Sequence, residues 1–160
     1  MRAVVDVNVL VSAALSSKGP SAEILRASRD GQFELITSEK LLTELTRTLA
    51  YPRIRKRIPA EKAAAYINWI RDHGRLADDP VGAPPVRSRD TDDDYLLALA
   101  IDQRAYLVTG DQDLLVLNAH LPILTPARPS ADLATAYGLR STAPGPDDTM
   151  QHVRGGAPTG

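Results

Sequence analysis

Apolar positions in this chain fall in short blocks whose spacing switches between the two-residue period of a strand and the 3.6-residue period of a helix. The run at 3–6, Ala3-Val4-Val5-Asp6, is β-rich, too apolar for an exposed edge, and ends on an acid. A helix over 9–15 follows, broken at 16–20 where serine, lysine, glycine and proline cluster. Ser21 is predicted to cap a second helix, with Ile24 and Leu25 on its apolar face and its end near Gly31. A second buried strand is predicted over 33–37. Ser38 is placed to cap a helix running to about Leu49, with Leu41, Leu42, Leu45 and Leu49 on its buried stripe. Pro59 starts another helix, in which Ala63, Tyr66, Ile67 and Ile70 share a face before Gly74 ends it. Trp69 lies off that stripe and is expected to face a partner.

Residues 78–85 are rich in proline, glycine and acid and form a loop. The stretch 89–115 then carries the most information. It opens on an acidic knot (Asp90, Asp92, Asp93, Asp94), continues as an apolar helical ladder, becomes a strand over 106–109, and stops at Gly110-Asp111. A short helix over 114–117, a last strand over 122–125 and a helix over 130–137 complete the pattern. From 141 to 160 the chain is mostly proline, glycine, threonine, serine and aspartate, which cannot offset the entropy of ordering, so this segment reads as a disordered tail.

Strands separated by helices predict an α/β fold: a parallel, doubly wound sheet of about four to five strands in a three-layer α/β/α arrangement over residues 1–140. In such a fold the helices descend while the strands rise, so helix starts and strand ends share one rim, and that carboxyl-end rim is where ligands bind. Asp6, Asp93 and Asp111 are thereby expected at one place. Glu44, three residues after Leu41 and one before Leu45, approaches from a helix that starts there.

Composition narrows the chemistry. At 160 residues and 17.3 kDa, one domain with a sizeable core is the default. There is no cysteine, and the three histidines (His73, His120, His152) are scattered, so any metal must be held by oxygen. The longest apolar runs fall far below the roughly 18 residues of a membrane span, and Met1-Arg2 leads straight into a strand, so a cytoplasmic protein is expected. A net charge of -1 neither supports nor excludes a nucleic-acid substrate. A Rossmann dehydrogenase would need G-x-G-x-x-G after a strand, which is missing. A haloacid-dehalogenase-like phosphatase would need an aspartate where Asn8 stands, and a receiver domain would need a lysine partner for its acid.

Carboxylates gathered at one rim cannot all stay ionised unaided, so the cluster needs a cation or must protonate. Mg²⁺ or Mn²⁺ suits such ligands and takes phosphate oxygens at its open positions, which predicts phosphodiester hydrolysis. Thr109 is a strand residue or a hydroxyl that bonds a ligand or water. Asp111 is either a ligand or a turn residue, and Asp113 is expected to cap the helix after it, with a supporting role behind the ligands as its alternative. Arg47, Arg53, Arg55, Lys56 and Arg57 form the one basic block, either a solvated face or a track for RNA. His73 is expected to answer a helix dipole.

The opening VVDVNVLVSAAL, the segment SEKLLTELTRTLAYPRIRKR, the helix DTDDDYLLALA and the tip LVTGDQDLL, in this order over about residues 1–126, resemble the PIN-domain family. They resemble in particular the VapC-like ribonuclease toxins of bacterial toxin-antitoxin pairs. The resemblance implies a Mg²⁺- or Mn²⁺-dependent endoribonuclease, acting on RNA, inhibited by a cognate antitoxin and working as a homodimer. It matches the family's acids to Asp6, Glu44, Asp93 and Asp111, and its polar residue after the first acid to Asn8. Asp92 and Asp94 remain alternatives to Asp93, with Asp94 otherwise supporting the ligands. The rival reading is a catalytically silent PIN-like module that only engages an antitoxin or RNA.

Overall fold

The computed structural model describes residues 1–126, and within them five parallel strands form one sheet. In chain order the elements are β1 (Arg2–Val5), α1 (Val7–Leu15), α2 (Pro20–Arg29), β2 (Glu34–Ser38), α3 (Glu39–Leu49), α4 (Pro52–Arg55), α5 (Ala60–His73) and β3 (Arg75–Ala77). A 3₁₀ turn (Thr91–Asp93) then leads into α6 (Asp94–Asp102), β4 (Tyr106–Val108), α7 (Gln112–Leu115), a second 3₁₀ turn (Val116–Ala119) and β5 (Ile123–Leu124). The predicted helix over 130–137, the boundary at 140 and the tail over 141–160 lie outside the described residues.

The strand order is β3-β2-β1-β4-β5, with Val4 opposite Ile36 and Val5 opposite Val108. Central β1 is covered on both sides, which is why Ala3, Val4 and Val5 are an unbroken apolar run with no exposure. Connections β1 to β2 and β2 to β3 step one way along the sheet, while β3 to β4 and β4 to β5 step the other way. Right-handed crossovers therefore put α1 to α5 on one face and α6 and α7 on the other, giving the three-layer α/β/α fold expected from the pattern. Packing agrees: α1 meets α2 and α3, and α3 meets α5, whereas α6 lies on β1 and β4. The core is filled from both faces by Leu10, Leu41, Leu42, Leu45, Leu49, Ile70, Leu97 and Leu99, all nearly or fully buried. No helix among the described residues is long and apolar enough to cross a membrane.

Several local expectations are corrected. The cap of α2 is Gly19, at φ 102°, with Pro20 in the first turn, rather than Ser21. Proline suits that position because the N–H it lacks would be unpaired there anyway. Asp111, not Asp113, caps α7, which begins two residues before the predicted helix. The basic block contains a short helix, α4, that no periodicity announced. Strand β3 was missed altogether, since its three residues are largely exposed and are held by pairing to β2. Gly74 does end α5, but with φ -75° rather than a left-handed turn. A Cβ there would meet the Ile70 carbonyl oxygen at 2.8 Å and that of Leu35 at 3.3 Å, so the glycine lets the chain pass between helix and sheet. Trp69, half-buried, stacks on His73 at 4.8 Å between ring centroids, which leaves the expectation of a partner there untested. The His73 ring also bonds the buried Ser28 hydroxyl at 3.0 Å, so this histidine joins α5 to α2.

Candidate active site

The sheet order reverses between β1 and β4, so the carboxyl ends of those neighbouring strands open the crevice where α/β sheets bind ligands. Asp6 follows β1 directly. Its backbone N–H donates to the Val108 carbonyl at 2.9 Å, and its carbonyl accepts from Val9 and Leu10, so it leaves the sheet and starts α1 in one step. Its carboxylate caps that helix, accepting from the Asn8 backbone N–H at 3.3 Å. The other carboxylate oxygen accepts from the Thr109 hydroxyl at 2.6 Å, and that hydroxyl accepts from the Asp111 backbone N–H at 3.1 Å. Thr109 is thus a fully buried clasp between the two acids. The Asp111 carboxylate caps α7 through the Asp113 N–H at 2.9 Å. Asn8 contributes its backbone, while its side chain lies at an exposed position.

Asp6 is only 4% exposed, and burial pushes its carboxyl above the usual range. Hydrogen bonds from Thr109 and Asn8 pull the other way without cancelling that effect, and the charges of Asp111 and Glu44 add to the rise.

Glu44 sits in the second turn of α3, a helix fixed at the same rim by the Ser38 side chain accepting from the Leu41 N–H. At the border of the leucine stripe it is half-buried, and one of its oxygens accepts from the Tyr95 hydroxyl at 2.8 Å. The Lys40 ammonium lies 4.5 Å from the centre of the Tyr95 ring.

The 3₁₀ turn separates the clustered aspartates. Asp93, half-buried at the last position of the turn, has its carboxyl pushed up to about 6 by desolvation first, then by the charges of Asp6, Asp90, Asp111 and Glu44. Asp92 is exposed. Asp94 is buried in the opposite task of tying down the preceding loop, accepting from the Ser88 N–H at 2.8 Å and from Arg87 at 3.0 Å. Asp90 caps the turn. Asp113, in the first turn of α7, pairs with Arg89 at 3.5 Å.

Acids from four separate segments therefore share one electrostatic neighbourhood. Among the described residues, no group of three or more histidine or acidic side chains is placed so that it could hold a metal ion. The donor set is all oxygen and acidic, which fits Mg²⁺ or Mn²⁺ held through one or two carboxylates with water and substrate oxygens completing the shell.

The basic block is dispersed relative to these acids. Arg47 is exposed one turn beyond Glu44. Arg57 reaches the Leu15 carbonyl at 3.3 Å, at the far end of α1 from Asp6, about 13 Å away along nine residues of helix. Arg53 and Arg55 on α4 precede it in the chain. The cation near Glu44 is Lys40, on α3, and the hydroxyl that bonds Glu44 is that of Tyr95. Spacing could have flagged Lys40, which is four residues before Glu44 and so on its side of the helix. Nothing in the sequence pattern distinguished the Tyr95 hydroxyl.

Residues 2–113 match the PIN domain. The chain is 27% identical over 136 residues to the uncharacterized protein MJ1680 of Methanocaldococcus jannaschii, covering 79% of this chain and 87% of that protein. In fold it is similar to the crystal structure of PAE2754 from Pyrobaculum aerophilum, with a TM-score of 0.59 and 15% identity across 88% of this chain and 97% of that one.

Proposed function

The chain belongs to the PIN-domain family, whose members are generally metal-dependent nucleases acting on RNA, and from that premise we propose that it is a Mg²⁺- or Mn²⁺-dependent endoribonuclease. The observation that supports this most is the mutual influence of Asp6, Glu44, Asp93 and Asp111 at the switch point of the sheet. Four carboxylates crowded against partial burial are a cost to the fold that a bound cation would offset.

Asp6, Glu44, Asp93 and Asp111 would hold the ion. When bound, a divalent cation supplies acidity to water and cancels charge building on the phosphate. The chain's own residues do the rest. Thr109 fixes the orientation of Asp6 and the start of the turn carrying Asp111 through one hydroxyl. The two caps, Asp6 on α1 and Asp111 on α7, anchor their carboxylates to rigid helix starts. Arg47 would meet the RNA backbone nearest the acids, with Arg53, Arg55, Lys56 and Arg57 extending that contact away from them.

The finer reading is that the enzyme is the VapC-like toxin of a toxin-antitoxin pair, acting as a homodimer in the cytoplasm and inhibited by a cognate antitoxin. Its support is the resemblance of the four sequence blocks in their order. Expression of this chain alone should arrest bacterial growth, and co-expression with a cognate antitoxin should restore it.

The direct test incubates purified full-length chain with a pool of labelled RNA and Mn²⁺, then repeats it with EDTA, Asp6→Asn and Asp111→Asn. Mn²⁺-dependent cleavage by the wild type, lost in both variants, is the expected result. Cleavage surviving both substitutions removes the metal reading. A wild type that cleaves no RNA leaves the silent binding module in its place.

A further inference from the structure

Among the described residues, two side-chain links join α3 to α6, helices from opposite faces of the sheet, and both pass through Tyr95. Its hydroxyl donates to one carboxylate oxygen of Glu44 at 2.8 Å, and its ring carries the Lys40 ammonium at 4.5 Å. Tyr95 is only 6% exposed, and the residue before it, Asp94, is locked to the Ser88 N–H and to Arg87. The phenol is therefore held from three directions while its hydroxyl projects to the acidic cluster. By contrast Glu44 is a long, half-buried side chain whose charge repels those of Asp6 and Asp93. Left alone, it would gain rotamer freedom and relieve repulsion by turning away.

We infer that Tyr95 is a positioning residue for the divalent-cation site: its hydroxyl holds Glu44 by one oxygen and leaves the other, Oε1, as the ligand. This rests on the proposed metal-dependent function and says which residue restrains Glu44 before the ion arrives. The run 93–95 thereby divides its labour within a single turn, Asp93 to the site, Asp94 to the loop and Tyr95 to Glu44. Residues that orient ligands in this manner commonly change metal affinity by about 10- to 100-fold when removed.

The experiment is Mn²⁺ titration of the full chain by calorimetry, in wild type, Tyr95→Phe, Glu44→Gln and the double variant, with a metal-free melting curve for each. Phenylalanine keeps the ring, its packing and its contact with Lys40, so a purely packing role predicts unchanged affinity. Positioning predicts about tenfold weaker Mn²⁺ binding by Tyr95→Phe with the melting transition retained, and less than a twofold further change when it is added to Glu44→Gln. Wild-type affinity in Tyr95→Phe, or full additivity in the double variant, overturns the inference. Should Tyr95→Phe lose its cooperative transition, Glu44→Asp takes its place: it keeps the carboxylate but draws it out of reach of the phenol. Mn²⁺ affinity equal to wild type in that variant overturns the inference as well. A wild type that binds no Mn²⁺ overturns the metal-dependent function itself, an outcome distinct from a wild type and variant that bind equally.

Discussion

The carboxyl of Asp93 offers a quantitative test of the acidic cluster, because its crowding should make the metal-free protein less stable as pH rises. In the unfolded chain this group titrates near 3.8, and in the folded protein near 6. At full weight that difference penalises the ionised form by about 3 kcal/mol. Asp93 is only partly withdrawn from solvent, so screening reduces the figure to about 1–2 kcal/mol. The folded state binds more protons than the unfolded state between those two pH values. The stability this contributes is complete below about pH 4 and is lost as pH climbs through 6. Asp93→Asn, which removes the charge and keeps the shape, should therefore raise the melting temperature in EDTA at pH 7.5 by roughly 4–8 °C for a domain of this size. At pH 5 the gap should narrow, since the wild-type carboxyl is then mostly protonated. Saturating Mn²⁺ at pH 7.5 should reverse the order, with the wild type gaining more than the variant. Melting followed by circular dichroism across pH 4.5–8 measures all three. A variant that melts no higher than wild type at pH 7.5 without metal would refute the idea that this carboxylate is crowded.

Three further outcomes follow from single contacts. Thr109→Val removes the hydroxyl that serves the buried Asp6 carboxylate and the Asp111 N–H, and should cost about 1–3 kcal/mol in urea denaturation while raising the Asp6 carboxyl further. An unchanged midpoint would mean that water replaces the clasp. Gly74→Ala places a Cβ against two backbone oxygens that cannot turn aside and should cost about 1–3 kcal/mol, with Mn²⁺ affinity unaltered because the position lies at the amino end of β3. Arg47→Ala should lower RNA cleavage more than Arg53→Ala, since Arg47 is one turn from Glu44 while the remainder of the block runs toward the far end of α1. Equal kcat/KM losses would place the RNA track differently.

Elements whose signal is local were legible in the sequence. The helix α3 carries both its cap, Ser38, and a complete leucine stripe, so its start and its end at Leu49 follow from the residues themselves. Central β1 and β4 were legible because burial on both faces demands an unbroken apolar run. Strand β3 was not, because Arg75, Leu76 and Ala77 have no such demand: the strand exists through its hydrogen bonds to Ile36, Thr37 and Ser38. The site divides the same way. Asp6 and Asp111 end strands, so topology alone put them at one rim, whereas the partner of Glu44 is set by how α6 lies against α3 across the sheet, which no pattern along one segment encodes.

The knot of aspartates shows most clearly why the remainder required coordinates. A purely α-helical start would place Asp90 and Asp94 on one face and leave the inward residue ambiguous, because successive acids differ by about 100°. The chain instead begins with a 3₁₀ turn, in which residues three apart eclipse one another, so Asp90 stands beside Asp93 and adds to the charge felt there. The winding then loosens to α at Asp94, whose carboxylate is claimed by the Ser88 N–H and Arg87. Once Asp94 is committed to the loop, the turn before it can direct Asp93 toward the strand ends, and the residue after it brings a phenol to Glu44. Four similar letters thus acquire different tasks through a change in helical pitch, and a substitution that shifted that pitch, such as a proline at Asp94, should scatter Asp93 and Tyr95 together.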